Sequence, residues 1–204
     1  MKTSAESMLS LESTTPTQTL QFSPNKLRRR PREIVRVWAL VPPPTREKII
    51  SVLSGQQPWP LVFIGPAGTG KTCTALAVID GVYGDAPYTS AAKMLTDLIS
   101  AGNGELCDSR GDKISVQRWW REWSEASITI LDELGAREKI SDYQYENVKR
   151  AIDDRAGKPA IYISNAELPQ LEKLYDDRIS SRLAAGTVIV MGGKDRRLEK
   201  RIAR

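Results

Sequence analysis

Gly65-Pro66-Ala67-Gly68-Thr69-Gly70-Lys71-Thr72 directly follows the apolar run Leu61-Val62-Phe63-Ile64. The octet satisfies G-x-x-x-x-G-K-[ST] at every fixed position. An apolar run of this length, closed by glycine, reads as a buried strand that delivers the chain to a tight turn. Gly65, Gly68 and Gly70 let the backbone curve with its N–H groups facing inward. A helix opening near Lys71 then aims its positive end into the same space. Such a turn cradles phosphate. Lys71 is expected to reach the β- and γ-phosphates of a nucleotide, and the Thr72 hydroxyl to ligate Mg²⁺. The expected nucleotide-binding set is Gly65, Pro66, Ala67, Gly68, Thr69, Gly70, Lys71, Thr72 and Cys73.

Composition narrows the chemistry available. The 204 residues, 40% of them hydrophobic, fit one core with tails. Two cysteines, Cys73 and Cys107, and no histidine exclude a disulfide scaffold and the usual Cys/His zinc site. Ser-His and Cys-His catalysis fall away for the same reason, which leaves acid–base work to carboxylates. No apolar signal core opens the chain and no uncharged apolar run is long enough to cross a bilayer. A cytoplasmic protein with no membrane contact is therefore expected. The net charge is +5. The basic residues gather at Lys26-Leu27-Arg28-Arg29-Arg30-Pro31-Arg32 and at Lys194, Arg196, Arg197, Lys200, Arg201 and Arg204. Both clusters read equally as phosphate contacts or as solvated tails.

Residues 1–25 are polar and poor in apolar side chains, the composition of a segment that stays disordered when free. Ile34, Val35, Val37, Trp38 and Val41 recur at helical spacing before Pro42-Pro43-Pro44 stops the helix, and a second helix is expected over 45–53 with Thr45 as its cap. From Leu61 onward apolar runs alternate with helical patterns, which predicts a three-layer α/β fold around a parallel five-stranded sheet. The strands are expected at 61–64, 87–90, 127–131, 159–164 and 187–191. The helices are expected at 71–82, 91–101, 114–125, 142–156, 167–174 and 176–185. This divides the chain into a polar and basic tail (1–31), a short helical extension (32–54), a core (55–193) and a basic tail (194–204).

Ligands of such sheets bind beyond the carboxyl ends of the strands, where Gly65, Asp132 and Asn165 all fall. Ser127-Ile128-Thr129-Ile130-Leu131-Asp132-Glu133 is an apolar strand ending in two carboxylates. An acid at that place helps hold Mg²⁺, and Glu133 beside it can polarise an attacking water. A kinase transferring phosphate to a substrate needs no such second acid, so the pair favours hydrolysis and leaves a small-molecule kinase as the least favoured reading. Asn165, after Ala160-Ile161-Tyr162-Ile163-Ser164, can orient that water or cap the next helix. Arg178 and Arg182 stand at i, i+4 after Asp176, a candidate cap. They can pair with nearby acids or act on a nucleotide held by an adjacent subunit.

In order and spacing, Gly65–Thr72, Ile128–Glu133, Ile163–Asn165 and Asp177–Leu183 resemble the Walker A, Walker B, sensor 1 and arginine-finger boxes of an AAA+ ATPase. Within that group the stretches Tyr88–Leu95, Leu131–Gly135, Ile161–Asn165 and Asp177–Leu183 look like the DnaC-like helicase loaders and the IstB-like transposition ATPases. The resemblance covers about residues 55–197. It implies an ATP- and Mg²⁺-dependent hydrolase with Arg182 as arginine finger, Arg178 assisting, and nucleotide-dependent homo-oligomers assembling on single-stranded DNA. Its implied partner is a replicative helicase, or in the alternative a transposase. Two departures stand out. Only about fifty residues, most of them polar, precede the core where loaders carry a helicase-gripping module. Little chain follows the last strand, so no C-terminal helical lid is expected.

Gln117-Arg118-Trp119-Trp120-Arg121-Glu122-Trp123 precedes the acidic strand. Val116, Trp120 and Trp123 fit a stripe facing the sheet, with Trp119, Arg118 and Arg121 expected on another face. Trp119 then reads either as one exposed aromatic beside the core or as a base-stacking platform with the two arginines on the nucleic-acid backbone.

Overall fold

The computed structural model describes Leu20, residues 38–82, residues 86–193 and Asp195. Helix α1 (Pro43–Leu53) leads into β1 (Leu61–Ile64), α2 (Lys71–Gly81), β2 (Tyr88–Ser90), α3 (Ala91–Gly102) and α4 (Val116–Glu125). Then come β3 (Thr129–Leu134), α5 (Asp142–Asp153), β4 (Ala160–Ser164), α6 (Leu168–Leu174), α7 (Asp177–Ala184) and β5 (Thr187–Val190). All five strands run parallel in the order β2-β3-β4-β1-β5.

Strand alternation sorts the core onto the two faces of the sheet. Leu61 and Phe63 of β1 join Ile128, Ile130, Ile161, Ile163 and Ile189 in a cluster with Ile49, Val52 and Val78. Val62 and Ile64 point the other way, to Leu131, Tyr162, Met94, Trp120, Trp123, Val148 and Leu183. Burial on both faces is why β1 and β4 are unbroken apolar runs rather than alternating ones. Phe63 is fully buried, and truncation to alanine there should cost about 3–5 kcal/mol.

The sheet is the five-stranded parallel sheet expected, covered by helices in an α/β fold. Among the described residues no helical lid follows β5. One local expectation changes. The helix expected from Thr45 begins at Pro43, with Pro42 as N-cap and prolines in its first turn. Proline stops a helix only from behind; at the first turn its missing N–H has no intrahelical partner to lose, so the proline run starts this helix. Of the helix expected over Arg32–Val41, residues 38–40 are helical and Val41 is a buried bend, while 32–37, the tail 1–31 except Leu20 and all of 194–204 except Asp195 lie outside the described residues; Leu20 packs on the core and its N–H donates to Leu53 O (3.0 Å).

At the opposite edge of the sheet from the expected site, Arg155 is buried at 3% exposure. Its guanidinium donates to the carbonyls of Ser124 (3.1 Å), Ala126 (2.8 Å) and Pro159 (2.5 Å), and Lys158 Nζ donates to Ser124 O (3.0 Å). Two cations thus satisfy the carbonyl end of α4 and tie it to the turn before β4. Burial pulls the Arg155 pKa down from its ordinary value.

Candidate nucleotide site

Because all strands are parallel, β1, β3 and β4 release their chains at one edge. Strand β4 pairs with β1 on one side and with β3 on the other. The residue leaving β4, Asn165, therefore lies between the glycine loop and the acids.

The loop is shaped by close approach. Gly65 has φ +139°, and a Cβ there would lie 2.2 Å from Met191 O, on the segment leaving β5. At Gly68 (φ +76°) a Cβ would come within 1.9 Å of Asp195 Oδ1. Lys71 is 5% exposed and donates to Gly65 O (2.6 Å) and Pro66 O (2.7 Å), so its ammonium sits inside the curve of the loop. Thr69 Oγ1 donates to Pro66 O (3.0 Å). Pro66, Ala67 and Cys73 are exposed along the rim.

Helix α2 lacks the side-chain cap that four of the other helices carry. Side chains accept from the first turns of α3 (Ser90), α4 (Ser115), α5 (Ser141) and α7 (Asp176). Helix α2 instead begins at Gly70 in a left-handed conformation, with no side-chain cap and no acid in its first turn. Its N–H groups and positive end face the cradle, as an anion requires. The residues fit a nucleotide's phosphates.

Thr72 Oγ1 donates to Asp132 Oδ2 at 2.7 Å. Asp132 is 4% exposed, and its Oδ1 accepts from Glu133 N at 2.7 Å. A hydroxyl and a carboxylate in contact are hard oxygen donors of the kind Mg²⁺ takes, with phosphate and water completing the shell. Among the described residues no group of three or more His, Cys, Asp or Glu side chains is placed to hold a metal by itself. The donor set therefore fits an ion that arrives with a phosphate.

The acidic pair lies inside β3 rather than beyond its end, contrary to expectation. Register slips between Leu131 and Leu134, and Glu133 is the one non-glycine residue among the described residues in the left-handed φ region (60°). This irregularity turns the exposed Glu133 away from the ladder while Asp132 stays buried. Backbone conformations of this kind cluster at functional sites.

Asn165 is exposed and is not a cap. Helix α6 is capped by Glu167, whose N–H donates to Gln170 Oε1 (2.8 Å), and Ser164 Oγ accepts from Ala166 N (2.9 Å). Asn165 instead lines an open groove of about 500 Å³ with Gly135, Arg137, Glu138 and Lys173.

The arginines are placed differently. Asp176 caps α7, accepting from Ile179 N (2.9 Å), and also accepts from the Tyr145 hydroxyl. Arg178 is exposed. Arg182 keeps 44% of its side chain exposed and pairs with Asp153 at the end of α5.

The tryptophan helix departs from expectation. Trp119 does not lie apart from Trp120 and Trp123: its ring stacks on Trp123 (centroids 5.7 Å, 13°) and meets Trp120 edge-on (4.9 Å). Positions 116, 119, 120 and 123 form one i, i+3, i+4, i+7 stripe, wide enough to take in Trp119. Trp123 Nε1 donates to Ala151 O (3.0 Å), and Arg150 lies over the Trp120 ring. Arg118 is held by Asp108 (2.8 Å) and Glu122 (2.7 Å), while Arg121 is exposed. The geometry of Trp119 is that of core packing.

Tyr88 is a site neighbour that the sequence reading does not single out; its hydroxyl donates to Asp132 Oδ2 at 3.1 Å. The missing signal was strand order, since only a β2–β3 pairing brings residue 88 to residue 132.

No protein-family model matches the chain, and no curated protein sequence matches it. Among solved structures, the chain is similar to DnaI (TM-score 0.58, 18% identity, 82% of this chain and 94% of that one). It is also similar to the DnaC helicase loader (TM-score 0.54, 20% identity, 65% and 77%). A third match is the replication initiator DnaA bound to AMPPCP and single-stranded DNA (TM-score 0.59, 15% identity, 78% and 50%). The chain spans 44% to 50% of the length of three of the initiator structures it matches. At these identities the likeness is one of fold. Among the described residues no helix is long and apolar enough to cross a membrane.

Proposed function

We propose that this chain is a Mg²⁺-dependent ATPase that loads a replicative DNA helicase onto single-stranded DNA, acting in the cytoplasm as a nucleotide-dependent homo-oligomer. The observation that carries the ATPase reading is the junction of cradle and acids: Thr72 on Asp132 at 2.7 Å, with Glu133 turned out of the strand beside them. Bound ATP and Mg²⁺ supply the phosphoanhydride bond and the charge neutralisation that lets it break. Lys71 and the N–H groups of Gly68–Thr72 hold the phosphates, and Thr72 and Asp132 hold the ion. Glu133 orients the water and accepts its proton; Asn165 fixes the water from the β4 side. Arg182, with Arg178 beside it, acts on the nucleotide of a second copy. Residues 55–193 form the ATPase core in this reading, flanked by the extension 32–54 and the tails 1–31 and 194–204.

The helicase client is supported by the ordered motifs and by fold likeness to DnaI and the DnaC helicase loader. Its test is affinity capture on ATP-loaded Glu133→Gln protein followed by binding to the purified candidate. A replicative helicase bound only in the ATP state supports loading. A transposase bound instead would transfer the same ATPase to the IstB-like alternative, and preference for duplex DNA would point the same way.

A further inference from the structure

Among the described residues strand β2 is an edge strand whose only sheet neighbour is β3, with Tyr88 opposite Ile130 and Ser90 opposite Asp132. Residues 130 and 132 share a face of the sheet, as do 88 and 90, so the Tyr88 ring can run about two residues along the strand, roughly 6–7 Å, to the Asp132 carboxylate. Its hydroxyl arrives at Oδ2 (3.1 Å), the same oxygen that accepts from Thr72 (2.7 Å), while Oδ1 accepts from Glu133 N (2.7 Å). Three donors from three elements fix the torsion of one buried carboxylate.

We propose that Tyr88 is a positioning residue for the divalent ion, holding Asp132 in the orientation that the ion and its waters require; this rests on the nucleotide reading above. The Tyr88 residue is 43% exposed, so it contributes little to the core and its hydroxyl is placed for something other than packing. Metal sites of this kind depend on the groups that orient their ligands as well as on the ligands.

The test uses the full chain and a fluorescent, non-hydrolysable ATP analogue, titrated with Mg²⁺ at equilibrium, so that its readout is independent of turnover. Tyr88→Phe should raise the half-saturating Mg²⁺ concentration about three- to tenfold. Its nucleotide affinity in EDTA and its circular dichroism should match those of the unmodified protein. In an Asp132→Asn background the same substitution should shift the Mg²⁺ midpoint less than about twofold, because the coupled partner is gone. An unchanged or lowered midpoint, or an equal shift in both backgrounds, overturns the assignment. If the unmodified protein shows no Mg²⁺-dependent binding, the nucleotide reading falls with it; binding that Tyr88→Phe leaves untouched removes only the role of Tyr88.

Discussion

Lys71 and Asp132 are 5% and 4% exposed, whereas Arg182 keeps 44% of its side chain in solvent and meets only a partly exposed acid. The crevice residues issue from strands buried on both faces, and their polar atoms are matched within one chain. Helix α7 packs through Ile179 and Leu183 and presents its arginines outward. A buried cation or carboxylate needs its partners at every moment, while an exposed arginine can exchange Asp153 for another anion at little cost. One region is thus matched within a single chain, and the other carries the exchangeable arginines that the proposed function assigns to a second copy.

The largest expected effect separates the two regions by chemistry. Glu133→Gln should bind ATP within severalfold of the unmodified protein, yet lose about 10²–10⁴-fold in turnover, read by phosphate release. Lys71→Ala should weaken ATP binding about a hundredfold or more, measured by calorimetry, because it removes a buried charge from the phosphate cradle. Arg182→Ala should leave the ATP affinity of dilute protein unchanged and lower turnover about ten- to hundredfold at concentrations where the protein assembles. That loss is smaller than for a lone arginine finger because Arg178 shares the face. If Arg182→Ala lowered turnover equally at all protein concentrations, the division between the regions would dissolve.

The tryptophan helix supplies the smallest effect and a control outside both regions. Trp119→Ala should destabilise the fold by about 1–2 kcal/mol in urea denaturation, since the ring is partly buried and stacked on Trp123. Single-strand affinity of the folded variant is expected to match that of the unmodified protein.

Sequence reading reached furthest where a residue type has few physical alternatives. The glycines before Lys71 could only be a tight turn, and unbroken apolar runs such as Leu61–Ile64 and Ala160–Ser164 could only be buried strands. It fell short where the outcome depended on long-range placement. The bulge that seats Asp132 and Glu133 inside β3 follows from pairing with β4, which no local pattern encodes. Trp119, expected on another face, is drawn into the stripe of α4 by its ring contacts with Trp120 and Trp123, and Tyr88 became visible only once β2 lay against β3. Asp153 as the partner of Arg182 is another contact between distant segments.

The direct test of a site shared between copies is subunit complementation. Lys71→Ala and Arg182→Ala proteins, each nearly inactive alone, should recover ATP turnover when mixed, because the first donates Arg182 to the intact cradle of the second. Mixtures as inactive as their components, or an Arg182→Ala protein that is fully active by itself, would contradict the shared site and confine the chemistry to one chain.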